Sequence, residues 1–109
     1  MRQIERAMVN AVSRGKSLKR GNTQVLATDN GAEVFLHGNC IAWYHRPTHC
    51  LSVRLCGWNT PTTKSRINAL LQSFGTGAHL YTKKFEPHYM VCGESFKMTS
   101  TQTLVFACN

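Results

Sequence analysis

The chain has 109 residues, with 13 Lys and Arg against 5 Asp and Glu, a formal net charge of +8 and 42% apolar residues. Domains commonly run to roughly 100–150 residues, so we expect a single domain over 1–109. The apolar fraction excludes a disordered chain. The charge favours anionic partners, nucleic acid first. The sequence lacks an apolar run of membrane-spanning length and a signal peptide, so we expect a cytosolic protein with no membrane partner.

The first predicted element is an amphipathic helix from Arg2 to Arg14. Apolar residues recur there at helical spacing, and Arg2 and Arg6 fall on the opposite side. Gly15 is a typical helix stop. The following segment, Lys16 to Asn22, lies between two glycines and is predicted to be a basic loop.

Four short runs rich in β-branched and aromatic residues predict strands. They are Thr23–Thr28, Ala32–Leu36, Cys40–His45 and His49–Cys56. Turn-forming residues separate them, including Asp29-Asn30-Gly31 and Gly38-Asn39, so we expect successive hairpins that form a four-stranded antiparallel meander. Alternation in the fourth run places Arg54 on the outward face.

A second helix is predicted after these strands, with Thr60 at the cap, Pro61 at the first position and Gly75 just past the end. Its predicted buried stripe is Thr63, Ile67, Leu70, Leu71 and Phe74. Three more strands are predicted at Ala78–Phe85, His88–Cys92 and Gln102–Ala107, separated by Glu86-Pro87 and by a polar stretch from Gly93 to Thr101. Together these elements predict an α+β fold, a mostly antiparallel sheet (β-meander) with two helices packed on one face.

The sequence contains none of the commoner catalytic signatures. Its five acidic residues stand singly, and no nucleophile elbow, P-loop or dinucleotide-binding glycine pattern is present. We therefore expect a protein that is not an enzyme and needs no cofactor. Sequence alone leaves open whether the fold pairs one of the cysteines with a histidine.

Histidines and cysteines crowd one stretch of the chain. They are His37, Cys40, His45, His49 and Cys50. Neighbouring residues of a meander point to opposite faces, so we expect no metal site here, only thiols and surface imidazoles. Five cysteines without a C-x-x-C pair predict reduced thiols and no disulfides.

The most specific local feature is the segment from Gly57 to Arg66, which is rich in hydroxyls and carries two cations at a helix start. If the amides of Thr62, Thr63 and Lys64 are free, a phosphate there would gain amide, hydroxyl and cationic contacts together. The alternative is ordinary capping with surface cations. Arg66 lies away from the predicted buried stripe and Lys64 only borders it, so we expect that replacing both by alanine changes stability by no more than about 1 kcal/mol.

A candidate nucleic-acid-binding face follows from these features. Its predicted residues are Lys16, Lys19, Arg20, Arg54, Thr62, Thr63, Lys64 and Arg66. Aromatic residues that would stack bases if exposed, or fill the core if buried, are Phe35, Trp43, Tyr44, Trp58, Tyr81, Phe85 and Tyr89.

Three segments carry a family resemblance. They are Gly21-Asn22-Thr23-x-Val25, the turn from Phe35 to Ala42, and the segment from Gly57 to Leu70. Over roughly residues 1–75 the chain resembles small accessory proteins of tailed bacteriophages, a resemblance that brings no catalytic residues with it. It implies a viral protein made in the bacterial cytoplasm that redirects host machinery or blocks host defences, including CRISPR systems, by stoichiometric binding.

Two hypotheses remain. The first is a phage accessory protein that binds nucleic acid or a ribonucleoprotein through the basic face. The alternative is an inhibitor that binds a host protein with an acidic surface.

Overall fold

The computed structural model describes all residues from 1 to 109 and contains two helices and nine strands. They are α1 (Gln3–Arg14), β1 (Leu18–Arg20), β2 (Thr23–Thr28), β3 (Gly31–Leu36), β4 (Asn39–His45), β5 (Cys50–Arg54), α2 (Pro61–Ser73), β6 (Ala78–Lys83), β7 (Glu86–Val91), β8 (Glu94–Lys97) and β9 (Thr103–Ala107). The strands form a six-stranded sheet in the order β1-β2-β3-β4-β5-β9 and a three-stranded sheet in the order β6-β7-β8. All pairings are antiparallel, and the predicted α+β fold is confirmed.

The core lies on one face of the six-stranded sheet, where both helices pack. Val25, Val34 and Val53 project from that face and are at most 1% exposed. The smaller sheet packs against this core through Leu80, which is buried in the same hydrophobic cluster as Val25, Val34 and Val53. The opposite face of the larger sheet carries no helix, and Val105 there is 62% exposed. Neither helix has the length and apolar character needed to cross a bilayer.

The predicted meander is confirmed as β2 to β5, and β2 has the predicted bounds. The turn chemistry differs in detail, because the positive φ values fall on His37 and Gly38 and not on Asn39. Gly31 has a different role from the one its turn-like neighbours suggest. It begins β3, and a Cβ there would lie 1.7 Å from the backbone oxygen of Tyr44. Only glycine fits that close approach.

Three strand predictions were wrong or incomplete. The predicted basic loop contains β1, which pairs with β2 along the edge of the larger sheet. The polar stretch after Gly93 contains β8, whose four residues are all exposed and which is held by pairing with β7. Strand β9 does not join the sheet of β6, β7 and β8, which precede it in the sequence. It pairs with β5 and so becomes the sixth strand of the larger sheet.

The β6–β7 connection also differs from the prediction, because Glu86 and Pro87 belong to a strand. The turn itself is Lys84-Phe85, with φ values of 51° and 66°. Two consecutive positive φ values in a two-residue hairpin loop are typical of a type I′ turn, which normally selects Asn-Gly. A bulky aromatic side chain at such a position is strained.

Helix α2 begins and ends where its capping residues predict. The Thr63 backbone N–H donates to the Thr60 hydroxyl at 3.2 Å, Pro61 is the first helical residue, and Gly75 adopts φ 66° beyond the end. Its buried side chains include the predicted apolar stripe except Phe74, which is half-buried. They also include Arg66.

Candidate functional site

Arg66 points into the protein, so its predicted place on the basic face is wrong. The residue is only 5% exposed. Its Nη1 donates to Glu5 Oε2 at 2.8 Å and its Nε donates to the Thr23 hydroxyl at 3.1 Å. Both donors are therefore satisfied within the protein, and no phosphate can reach the guanidinium without unfolding this region.

Glu5 is the centre of this buried network, in which it joins α1 to α2. Its carboxylate also accepts from the Ser65 hydroxyl at 2.6 Å and, more weakly, from the Arg2 backbone N–H at 3.4 Å. Burial acts to raise the pKa of Glu5, but the hydrogen bonds from Ser65 and Arg66 outweigh it and hold the pKa below the ordinary value of 4.5. The acid is therefore ionised, paired and structural.

The remainder of the predicted phosphate cradle is partly used by the fold. Thr63 is 3% exposed, and its N–H belongs to the helix cap. The Lys64 N–H donates to the Thr60 carbonyl at 3.1 Å, so two of the three amides predicted to be free are engaged. The Lys64 ammonium donates to Asn59 Oδ1 at 2.7 Å, and burial lowers its pKa. Thr62 is half-exposed beside it.

Lys16, Lys19 and Arg20 are exposed, as the predicted basic face requires. Three more exposed cations, which that prediction omitted, lie on α1 and at its start. We call the six together the N-terminal basic surface: Arg2, Arg6, Arg14, Lys16, Lys19 and Arg20. Lys19 lies on the helix-free side of β1, because its neighbour Leu18 pairs with Val25 of the core face, so this surface includes both sides of the sheet edge. The buried Glu5 is the sole carboxylate among residues 1–28. The polar side of the first helical pattern already contained the signal for the additional arginines.

Arg54 lies apart from that surface, on the helix-free face of the larger sheet. This orientation was predicted, but β2, β3 and β4 separate its strand from β1. Its Nε donates to the Cys40 carbonyl at 2.9 Å, and its guanidinium carbon lies 5.0 Å from the centroid of the Trp43 ring. This cation–π pair borders a groove of about 530 Å³ that also includes Phe35.

The side chains of the histidine- and cysteine-rich stretch do not come together in one site. Its members are occupied locally: His45 bonds to the Thr48 hydroxyl at 2.8 Å and His49 bonds to the Tyr44 hydroxyl at 2.8 Å. No three His, Cys, Asp or Glu residues are grouped to hold a metal ion. All five cysteines are free thiols.

The aromatic residues divide into packed and exposed ones. Tyr44 is buried, and Tyr89 packs beside the core and stacks on Phe96 at 5.2 Å between ring centroids. In contrast, Trp58 is 59% exposed and Phe85 is 96% exposed. These two rings are the members of the predicted aromatic set that are most available to a partner.

Most of the charged side chains are not in ion pairs. Two ion pairs are present, Arg66 with Glu5 and Lys97 with Glu86. Of 13 Lys and Arg and 5 Asp and Glu, these pairs use two of each, which leaves eleven cations and three carboxylates. Fold and surface therefore define a small, strongly basic α+β protein with its cations concentrated near the N-terminus.

The chain belongs to the Kyanoviridae Gp96 protein family, whose model matches residues 1–106. Kyanoviridae are tailed phages, so the resemblance to accessory proteins of tailed phages is confirmed. The match also covers residues 76–106, beyond the part of the chain that carried the resemblance. No curated protein and no solved structure matches the chain.

Proposed function

We propose that this phage protein binds nucleic acid or a ribonucleoprotein through the N-terminal basic surface, without catalysing a reaction. One observation carries the proposal: six exposed Lys and Arg residues lie within residues 1–20, where the sole carboxylate is buried and paired. A phosphate backbone approaching this surface therefore meets a large excess of positive charge.

The arrangement of these cations supports an interface over simple solubility. Charged side chains on an edge strand such as β1 commonly prevent aggregation, which accounts for Lys19 and Arg20. It does not account for Arg6 and Arg14 on the neighbouring helix. Guanidinium groups form forked contacts with phosphate, and a helix and a strand that contact each other hold them in a fixed arrangement.

Salt dependence tests this proposal. Fluorescence anisotropy with a labelled oligonucleotide should give a log K that falls linearly with log[salt], with a slope of about −0.7 to −0.9 per phosphate neutralised. Arg6→Gln and Lys19→Gln should each reduce that slope by about one unit. Arg54→Gln is the control, because it removes one charge from β5, a strand that β2, β3 and β4 separate from β1. A flat salt response, or equal effects of all three variants, would refute the interface.

The second candidate function is inhibition of a host protein or defence system, such as a CRISPR complex, by stoichiometric binding. The helix-free sheet face favours it, because Leu26 and Val105 are 39% and 62% exposed there and offer apolar area to a protein partner. Co-purification from the infected host, with and without nuclease, separates the two functions. A stoichiometric protein that is recovered despite nuclease would support inhibition.

A further inference from the structure

We infer that the surface formed by the start of α2 and the β6–β7 turn binds single-stranded nucleic acid. In this inference the rings of Trp58 and Phe85 stack on bases, while Lys64, Lys83 and Lys84 contact phosphates. We call these five residues the aromatic–lysine surface. The inference rests on the proposed function and specifies the form of nucleic acid that is bound.

Exposure is the first support. Trp58 and Phe85 are 59% and 96% exposed, in a chain that buries Tyr44 and most of its large apolar side chains. An exposed aromatic ring gives up the burial that normally stabilises the fold. Rings left this exposed therefore indicate a surface that is covered by a partner.

The backbone at Phe85 gives independent support. Lys84 and Phe85 both have positive φ in a two-residue turn where Asn-Gly would be unstrained. The turn therefore retains a strained, solvent-exposed phenylalanine that contributes little to folding. Strained backbone of this kind concentrates at functional positions. Here it holds the phenylalanine ring in solvent, where a ligand can contact it.

A hydrogen-bonded residue holds the two segments together. Asn59 Oδ1 accepts from the Lys64 ammonium at 2.7 Å and from the Thr82 hydroxyl at 3.4 Å. Trp58 directly precedes Asn59, and Phe85 follows Thr82 by three residues. The two exposed rings therefore belong to neighbouring segments, which meet at Asn59.

Charge complementarity selects the ligand. None of Lys64, Lys83 and Lys84 forms an ion pair, and the carboxylate next to the turn, Glu86, is neutralised by Lys97 at 2.9 Å. Unpaired lysines beside exposed rings match a strand that offers both phosphates and free base faces. A duplex offers phosphates but keeps its base faces stacked, so we expect a preference for single strands.

Two variants test the inference by anisotropy with a labelled oligothymidylate and with a duplex of equal length. Trp58→Ala should weaken single-strand binding about 5- to 150-fold, the range for loss of one stacked base. The double variant Lys84→Asn, Phe85→Gly should weaken it at least as much. That variant also installs the favoured turn residues, so its melting temperature should equal or exceed that of the wild type. Both should change duplex binding much less, the double variant by no more than one lost phosphate contact.

Trp43→Phe is the matched control, because it alters an aromatic residue on the helix-free sheet face and leaves Trp58 as the sole tryptophan. It should keep full affinity, and its fluorescence should be quenched when oligothymidylate binds. Unchanged single-strand affinity in both test variants, or equal losses for strand and duplex, overturns the inference alone. Absence of any salt-dependent binding by the wild type overturns the proposed function as well. A protein partner lost from both variants would also overturn the inference.

Discussion

Replacing Arg66 by alanine should destabilise the protein severely, although Arg66 was predicted to be a surface cation. The substitution leaves the Glu5 carboxylate, 3% exposed, without its charged partner and leaves the Thr23 hydroxyl without a donor. Removal of one member of a buried ion pair costs about 3–5 kcal/mol. In a domain of this size that corresponds to a fall in melting temperature of roughly 12 °C or more.

Thermal and urea unfolding followed by circular dichroism measure this loss, with Lys64→Ala as the matched control. The Lys64 side chain bonds only to Asn59, so its removal should cost less than about 1 kcal/mol. The Glu5→Gln, Arg66→Met double variant removes both charges and should be more stable than Arg66→Ala. An Arg66→Ala variant within 1 kcal/mol of the wild type would refute the buried pair.

The stability difference between the wild type and Arg66→Ala should depend on pH, because the pKa of Glu5 is lowered in the folded protein. The folded pKa of Glu5 lies below its ordinary value of 4.5, so its contribution is present above about pH 4.5 and is lost as the pH falls through the folded pKa. In Arg66→Ala the desolvated carboxylate gains stability on protonation. The stability difference between wild type and variant should therefore shrink as the pH falls, beginning above pH 4.5 because burial without Arg66 raises the pKa of Glu5 in the variant. A constant difference would contradict the assignment.

Three further predictions concern the scaffold. Thr60→Ala removes the α2 cap and should cost about 0.5–2 kcal/mol in urea unfolding. Gly31→Ala brings a Cβ to 1.7 Å from a β4 carbonyl oxygen, and should cost more than Thr60→Ala in the same assay because backbone must move. In native thiol titration Cys92, which is exposed, should react before Cys40 and Cys108, because burial raises the pKa of those two thiols. Denaturant should make all five thiols equally reactive.

Local signals explain the parts of the fold that the sequence predicts well. β2 through β5 are joined by short turns, and α2 has a cap, an initial proline and a terminal glycine. β1 and β8 escaped prediction because they are short, charged or exposed, and are strands only by pairing with a neighbour. The β5–β9 pairing joins segments about fifty residues apart, which no local pattern encodes.

The candidate site, too, could be predicted from the sequence only where local rules apply. Lys16, Lys19 and Arg20 follow the rule that charged residues face solvent, and the rule fails for Arg66 and Glu5. The helical spacing argued against exposure of these two residues. Glu5 stands three residues before the buried Met8, and Arg66 stands four residues before the buried Leu70. Which acid meets which base is decided by the packing of α1 on α2 and is invisible before the fold is known.

The pairing of β9 with β5 has a consequence for synthesis on the ribosome. β5 is complete once residue 54 has been made, but its outer edge waits for residues 103–107. Throughout that interval the backbone groups of Leu51 and Val53 have no partner on that side, and an unpaired edge is a template for other nascent chains. The distance in sequence makes this closure slow relative to the hairpins before it. Until β9 arrives, nascent chains of this protein are therefore open to pairing with one another along this edge.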